Sequence, residues 1–309
     1  MIISSIRAVS FVLRSMNINM TDINDWTSLR YRPHVPRFHG CGPSASFDLF
    51  DWVIWSPMDD EITRFKIKEP KKILCLTTPE SISILLEKAN FSSKPSVVFA
   101  GEDNLLSTFI DSIHQISDRF SSIFYEAKDI NSDIVKSFSM GFISFYLRDS
   151  VYENIYRAIE YSDRVPKSSL VLAAWGERWK HLDKTIADRE TLDTFLENHD
   201  FLKREFIPFS QYWQQLAKYK FLLAPRGRGV QAPKLAEAWM VKTVPIATKN
   251  PCFTDLKDLG YPLVLVDDWA EVTVKNLDSW SEYYETIDWT QVRYQLTNSY
   301  LDELLQPKS

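Results

Sequence analysis

The chain has 309 residues, which is long enough for two domains of ordinary size. Its hydrophobic fraction of 45% and its charged fraction of 25% are typical of a globular protein. The net charge is −5 and no long basic run occurs, so the electrostatic footprint of a nucleic-acid-binding protein is missing.

Cysteine usage and the N-terminal segment both bear on the cellular compartment. Cys41, Cys75 and Cys252 are far apart and in no CxxC spacing, so we predict neither a disulfide framework nor a zinc site. The apolar N-terminus is interrupted by Arg7 and Arg14, and its uncharged stretches are far shorter than the roughly 20 residues that cross a bilayer. We therefore predict a cytoplasmic protein without stable membrane insertion, and a transit peptide remains an alternative.

Short apolar runs recur along the chain at the spacing of strands that alternate with helices. The predicted strands are residues 51–55, 72–76, 96–100, 122–125 and 142–147, followed by 170–174, 204–207, 221–224, 244–247 and 263–266. The predicted helices, with apolar residues at i, i+3 and i+4, are 79–89, 105–117, 151–161, 189–197, 233–241 and 287–305. Strands rich in Val, Ile and Leu without alternation are typical of a parallel sheet covered on both faces.

A polar, proline-containing stretch at residues 161–169 divides these elements into two series. The fold class that we predict is α/β, with two doubly wound Rossmann-like domains facing a cleft. Residues 1–165 form the first domain and residues 166–284 the second, and residues 285–309 form a C-terminal helix that packs back on the first domain. In such folds ligands bind at the carboxyl ends of the strands.

The segment at residues 219–248 has the strongest chemical pattern, because a buried strand runs into a glycine- and arginine-rich turn before a helix. Gly227 and Gly229 allow a ligand to approach the backbone closely. Arg226 and Arg228, beside a helix N-terminus, can bind a diphosphate through forked hydrogen bonds and the helix dipole. The pattern lacks the third glycine of a dinucleotide-binding fingerprint, which argues against an NAD-dependent dehydrogenase.

Two charged residues follow in the predicted helix. Lys234 and Glu237 are three positions apart, so their side chains project to a similar face. A carboxylate close to bound phosphates can accept hydrogen bonds from both hydroxyls of a ribose. The competing interpretation is that Arg226 and Arg228 are solvated loop charges and that Glu237 pairs with Lys234. The ordered combination of strand, cationic glycine turn and helix favours a nucleotide site.

This segment resembles the donor motif of exostosin-type glycosyltransferases and of related transferases of algal viruses. The matching residues are Pro225, Arg226, Gly227, Gly229, Lys234, Leu235, Glu237, Ala238, Val244, Pro245 and Ile246. The resemblance extends over residues 170–274, including a strand that ends in Asp-Trp near residue 268. It implies a GT-B type fold in which Arg226 binds the diphosphate of a UDP-sugar and Glu237 binds its ribose, and it adds Arg178 and Arg189 as phosphate ligands.

Three positions depart from the family pattern. Ala232 replaces a serine, Lys234 replaces an arginine, and Lys242 replaces a glycine before the second strand. A lysine at position 234 keeps the charge but loses the forked geometry of arginine. The departures bear on which donor is used more than on whether the donor is a nucleotide-sugar.

The reaction predicted from these features is transfer of a sugar from a nucleotide-sugar donor to a glycan acceptor. No Asp-x-Asp occurs, so we expect neither a metal nor a cofactor, and Arg and Lys would stabilise the leaving diphosphate. We favour inversion, with a carboxylate of the first domain as the base. The candidates are Asp103, Glu102 and Asp60, although the first two can equally be helix caps. A catalytically inactive protein that binds nucleotide or glycan is the alternative.

Overall fold

The computed structural model describes residues 49–54, 63–101, 104–141, 149–175, 187–226 and 230–306. Within these ranges it has two sheets. The first contains β1 (Trp52–Ile54), β2 (Arg64–Phe65), β3 (Lys72–Leu76), β4 (Ser96–Ala100), β5 (Ser122–Tyr125) and β6 (Val135–Lys136). The second contains β7 (Ser169–Leu172), β8 (Tyr219–Leu223), β9 (Val244–Thr248) and β10 (Val264–Val266).

The strands of both sheets are parallel to their neighbours, apart from one edge strand of the first sheet. The first has the order β2-β1-β3-β4-β5-β6, in which only β2 runs antiparallel to its neighbour β1. The second has the order β10-β9-β8-β7, and its paired strands are all parallel. The α/β class and its parallel strands are thus confirmed. Among the described strands the order runs in one direction in the second sheet, whereas in the first sheet β2 and β3 lie on opposite sides of β1, so the order reverses at β1.

Helices connect the strands and cover the sheets. They are α1 (Pro79–Lys88), α2 (Leu106–His114), α3 (Asp149–Arg164), α4 (Ala187–Glu197), α5 (Phe209–Leu216), α6 (Lys234–Met240), α7 (Pro251–Asp258), α8 (Val274–Glu285), α9 (Trp289–Gln295) and α10 (Asn298–Leu304). Side-chain caps start several of them. Thr78 accepts from Ser81 N at the start of α1, and Asn250 accepts from Phe253 N at the start of α7.

The apolar core is continuous from one sheet to the other. One cluster contains a face of the first sheet, such as Cys75 and Phe99, and a face of the second, such as Leu222. A second cluster covers the other face of the second sheet and contains Trp269. Burying aliphatic and aromatic side chains on both faces of parallel strands is the main stabilising term of such a fold. Most of the tryptophans that can be described therefore serve packing.

The C-terminal tail differs from its predicted form. We predicted one helix over residues 287–305, whereas the chain forms α9 and α10 with a break at Leu296. Thr297 causes the restart, because its hydroxyl accepts from Tyr300 N and caps α10. Leu301 and Leu305 then pack against the face of the first sheet that is turned away from α1 and α2.

The strand predicted at residues 204–207 is also wrong. This stretch is extended and runs beside β7, and Glu205 N donates to Ala173 O at 2.7 Å, but no ladder forms. The apolar Phe206 that suggested a strand is 77% exposed. The strand predicted at residues 142–147 lies outside the described residues. The two described cysteines, Cys75 in β3 and Cys252 in α7, are buried free thiols.

Candidate functional site

The carboxyl ends of β7, β8, β9 and β10 meet at one edge of the second sheet, because these strands are parallel. The residues that follow or end them include Ala174, Arg226, Thr248 and Trp269. We call this region the carboxyl edge. The segment with the predicted diphosphate turn lies here, between β8 and α6.

Asp188 and Arg189, in the first turn of α4, hold the backbone of Arg226 from both sides. Arg226 N donates to Asp188 Oδ2 at 2.7 Å, and Arg189 Nε donates to Arg226 O at 3.1 Å. A backbone N–H or C=O that is shielded from water needs a hydrogen-bond partner, since leaving it unpaired is costly. The polypeptide after β8 is thus fixed to the start of α4 by two adjacent side chains.

The second oxygen of the Asp188 carboxylate connects two further strand ends. Oδ1 accepts from Thr248 Oγ1 at 3.1 Å and from Trp269 Nε1 at 3.0 Å. The Asp188 side chain is only 5% exposed. Three donors thus share the two oxygens of this buried carboxylate. Asp188 therefore joins α4 to the ends of β8, β9 and β10.

The guanidinium groups of Arg226 and Arg189 are less completely bonded than their surroundings. The Arg226 side chain is 43% exposed, and its Nε lies 4.0 Å from Asp188 Oδ2 and has no hydrogen-bond partner. Within the described part of the chain, neither arginine donates a hydrogen bond from a terminal nitrogen. Burial lowers the pKa of Arg189, and the charge of nearby Arg204 lowers it further, whereas Asp188 and Asp193 oppose this. Positive charge is thus concentrated at the carboxyl edge, where the terminal nitrogens of both guanidinium groups can still donate hydrogen bonds to a ligand.

Lys234, the first residue of α6, points back towards the end of β7. Its Nζ donates to Ala174 O at 2.8 Å and lies 4.5 Å from the centre of the Tyr212 ring. Burial lowers the pKa of Lys234 to about 8, and the charges of Arg189 and Arg204 act in the same direction. The charge of Glu237 opposes the shift. The Lys234 amine therefore loses part of its positive charge, by deprotonation, at mildly alkaline pH.

Glu237 lies one turn further along α6 and is 2% exposed. The hydroxyl of Tyr212 is buried nearby and has no hydrogen-bond partner. Burial raises the pKa of Tyr212, and the charge of Glu237 raises it further. Because α6 has only seven residues, we assign the positive charge of the site to its side chains and not to the helix.

Four of the sequence-predicted site residues lie close together at the carboxyl edge: Arg189, Arg226, Lys234 and Glu237. The others lie outside the described residues; these are Asp60, Glu102, Asp103, Arg178, Gly227, Arg228 and Gly229. Sequence reasoning missed Asp188, although it stands next to Arg189. It also missed Thr248, at the end of a predicted strand, and Trp269, which belongs to the Asp-Trp pair named in the resemblance.

Gln231 connects the diphosphate segment to the first sheet. Its Nε2 donates to Glu126 O and to Phe138 O, both at 2.8 Å, and its Oε1 accepts from Met140 N at 3.1 Å. Glu126 follows β5, and its carboxylate accepts from Gly101 N at 2.9 Å. The carboxyl ends of β4 and β5 are therefore linked, through one fully bonded amide, to the segment that contains Arg226.

Neither a membrane-spanning helix nor a cluster of metal-ligating side chains occurs among the described residues. No helix among them is both long and apolar enough to cross a membrane. In the same ranges, no group of three or more His, Cys, Asp or Glu side chains is arranged to hold a metal ion.

Comparison with known proteins gives little likeness. No protein-family model matches the chain, and no curated protein matches it. One similar solved structure is the crystal structure of the GtfA/B complex, which is 13% identical over 76% of this chain and has a TM-score of 0.34. The chain spans 55% of the length of the chain that it matches there. A likeness at this level does not establish a shared fold or a shared activity.

Proposed function

We propose that the protein is a glycosyltransferase that moves a sugar from a nucleotide-sugar, a UDP-sugar, to a hydroxyl of a glycan acceptor. In this proposal the second sheet and its helices, residues 166–284, bind the donor. Residues 1–165 bind the acceptor, and the two domains form a GT-B type arrangement. The motif residues that resemble exostosin-type transferases support the assignment.

One observation carries the proposal. Arg189 and Arg226 lie at the carboxyl ends of parallel strands, with terminal guanidinium nitrogens that donate to no described residue. Guanidinium groups in partly buried positions are normally paired, because burying an unpaired charge is unfavourable. A ligand with adjacent anionic oxygens, such as a diphosphate, would supply the missing partners through forked hydrogen bonds.

The proposed reaction is an in-line displacement at the anomeric carbon. A carboxylate takes the proton from the acceptor hydroxyl, whose oxygen forms the new bond to the sugar. The bond between the anomeric carbon and the diphosphate oxygen breaks, and the electron pair leaves with the nucleoside diphosphate. Arg189, Arg226 and Lys234 stabilise the charge that develops on this leaving group. The reaction would proceed with inversion and without a metal ion.

Two roles complete the proposal. Glu237 binds the ribose hydroxyls, which requires that the groups covering this 2%-exposed side chain move when the nucleotide binds. The base is a carboxylate of the first domain, for which Asp103, Glu102 and Asp60 remain our candidates. In this proposal Arg178 and Arg228 add positive charge around the diphosphate that Arg189 and Arg226 bind.

The test is titration calorimetry with UDP, GDP, CMP and their sugar conjugates in the presence of EDTA. We expect one nucleotide to bind saturably to the wild-type protein. Arg226→Gln and Glu237→Gln should each weaken binding by roughly ten-fold or more, since a hydrogen bond to a charged group is worth about 1.5–3 kcal/mol. Lys220→Gln is the matched control, because Lys220 lies in the same sheet and pairs with Glu285.

A second measurement separates an enzyme from a binding protein. Release of free nucleotide from the bound donor, in the presence of an array of glycan acceptors, indicates transfer. Saturable binding without release favours the catalytically inactive alternative. Failure to bind any of the nucleotides contradicts the proposed function under either form.

A further inference from the structure

Asp188 bonds in an unusual way for a carboxylate beside two arginines. Its oxygens accept from Arg226 N, Thr248 Oγ1 and Trp269 Nε1. None of these donors is a guanidinium nitrogen. The closest guanidinium approach is Arg226 Nε at 4.0 Å from Oδ2, which is too far for a hydrogen bond.

The usual alternative would be a forked ion pair, in which one carboxylate takes two donors from one guanidinium. Such a pair would leave fewer nitrogens of Arg226 for a ligand. Here the peptide nitrogen of Arg226, an indole and a hydroxyl use the lone pairs instead. The carboxylate is therefore held in place by neutral donors, and its charge still acts on the guanidinium groups around it.

The electrostatic consequence is visible at Arg189. Burial lowers the pKa of this guanidinium, and the charge of Asp188 is the largest effect that opposes the shift. At Arg226 the same charge lies 4.0 Å from Nε. Asp188 thus offsets part of the unfavourable free energy of burying the Arg189 cation, without bonding to the terminal nitrogens of either arginine.

We infer that Asp188 is a positioning residue for the donor diphosphate: it fixes the backbone of Arg226 and balances the charge of Arg226 and Arg189 while leaving their terminal nitrogens open to the ligand. This inference rests on the proposed function. It adds a residue that touches neither the diphosphate nor the reacting atoms, and it assigns that residue to the diphosphate and not to the nucleoside.

The assignment to the diphosphate makes the test specific. Dissociation constants are measured by calorimetry for UDP and for uridine, and for GDP and guanosine, on the full chain. The quantity of interest is the ratio of the nucleoside constant to the nucleoside diphosphate constant. We expect Asp188→Asn to lower this ratio by roughly ten-fold while the nucleoside constant stays the same, since the amide cannot accept at both oxygen positions and has no charge.

Two further variants keep the inference open to contradiction if Asp188→Asn does not fold. The double variant Thr248→Val with Trp269→Phe removes both donors to Oδ1 and leaves the carboxylate free to rotate onto the Arg226 guanidinium. We expect it to lower the ratio by about three-fold, the effect of a neutral hydrogen bond or less. Glu197→Gln is the matched control, because Glu197 is an exposed acid at the other end of the same helix. It should change the ratio by less than about two-fold.

The outcomes distinguish this inference from the proposed function. If the wild-type protein binds none of the four probes, both are contradicted. If it binds UDP or GDP more tightly than the nucleoside, but Asp188→Asn weakens both probes by the same factor, Asp188 has only a structural role and this inference alone is contradicted. An unchanged ratio in the double variant contradicts it as well.

Discussion

The second sheet has a cationic cluster at each end, and the two clusters have nearly the same composition. At the amino end of the strands Lys242 and Arg293 pair with Asp163, and Lys167 lies near them. At the carboxyl edge Arg189, Arg226 and Lys234 lie near Asp188 and Glu237. The difference between them is in the hydrogen bonds of the cations.

The amino-end cations are bonded to the protein. Arg293 donates from Nε to Met240 O, and its terminal nitrogens donate to Asp163 and to Ser162 Oγ. Lys167 Nζ donates to Ala217 O, to Val241 O and to Thr243 Oγ1. Lys242 Nζ lies 2.7 Å from Asp163 Oδ1.

The charge of Asp163 reflects this arrangement. Burial is the largest single effect on its pKa and would raise it. The hydrogen bond from Lys242, together with the charge and hydrogen bond of Arg293, outweighs burial and lowers the pKa. The amino-end cluster is therefore a closed set of partners that connects α3, α6 and α9.

The comparison shows that charge composition alone does not identify a binding site. A count of basic residues would not distinguish the two clusters. Only the carboxyl edge has guanidinium nitrogens that no described residue occupies, and only there do the carboxyl ends of parallel strands supply a place for a ligand. Substitutions at the two ends should therefore separate stability from binding.

The largest expected effect is on stability at the amino end. Arg293→Met removes a buried guanidinium, so Met240 O loses a donor and Asp163 keeps only its pair with Lys242. The free energy of unfolding should therefore fall by about 2–3 kcal/mol. Nucleotide affinity measured under native conditions should not change. Arg226→Met, at the other end, should alter the free energy of unfolding by less than about 1 kcal/mol. Urea unfolding measures both, and equal losses would remove the distinction between the clusters.

The next effect is a pH dependence at the carboxyl edge. Because burial lowers the pKa of Lys234 to about 8, its positive charge is lost as the pH rises through that value. If the anion binds only to the charged form, UDP affinity should fall by about five-fold between pH 8 and pH 9. Calorimetry of UDP binding from about pH 6.5 to about pH 9.5 gives the dependence of the affinity on pH. Lys234→Met should give a flat profile, and a wild-type slope that persists in this variant would exclude Lys234 as its origin.

The sign for stability is opposite to the sign for affinity. Below the folded pKa of about 8 the full unfavourable free energy of burying the Lys234 charge is present. Between that value and its ordinary pKa of about 10.5, the unfolded chain holds more protons at this group than the folded protein does. The contribution of Lys234 to the free energy of unfolding therefore increases with pH over that window, while nucleotide binding weakens.

The smallest expected effect concerns the backbone at Lys242. This residue has a φ of 58°, in the left-handed region that glycine adopts without a steric penalty. Lys242→Gly removes that penalty and Lys242→Ala keeps it, while both lose the ion pair with Asp163. We expect the glycine variant to be more stable than the alanine variant by about 1 kcal/mol in urea unfolding. The reverse order would show that the turn relaxes when the lysine is replaced.

Much of the fold could be predicted from the sequence, because buried parallel strands are continuous apolar runs. The predictions for β3, β4, β5 and β9 agree closely with the structure. The helix α7 was missed even though Asn250 and Pro251 form a start signal that could have revealed it. The error at residues 204–207 has a different cause, since an extended stretch beside an edge strand has the same local preferences as a strand.

The site was predictable only in part, for a physical reason. Arg226 and Lys234 stand in a recognisable local pattern, so a reading of neighbouring residues finds them. Asp188 is unremarkable in the sequence, where an acid in the first turn of a helix is common. Its importance comes from contacts with Thr248 and Trp269, which are 60 and 81 residues away along the chain. A pattern of neighbouring residues does not predict contacts between residues that are so far apart along the chain.

The two buried thiols give each sheet its own reporter of opening. Cys75 belongs to the first sheet, and Cys252 lies in α7, the helix that connects β9 to β10 of the second sheet. Burial raises the pKa of both thiols, that of Cys252 to about 12, so neither is a reactive thiolate in the closed protein. A thiol reagent therefore labels each one only when its surroundings open.

With Cys41 replaced by serine, single-thiol variants give one labelling rate for each half of the chain. Equal free energies of opening would mean that the two sheets unfold as one cooperative unit. Unequal values would mean that one sheet exposes its interior while the other remains closed. The continuous apolar core favours the first outcome, and would make the protein an all-or-none target for proteolysis.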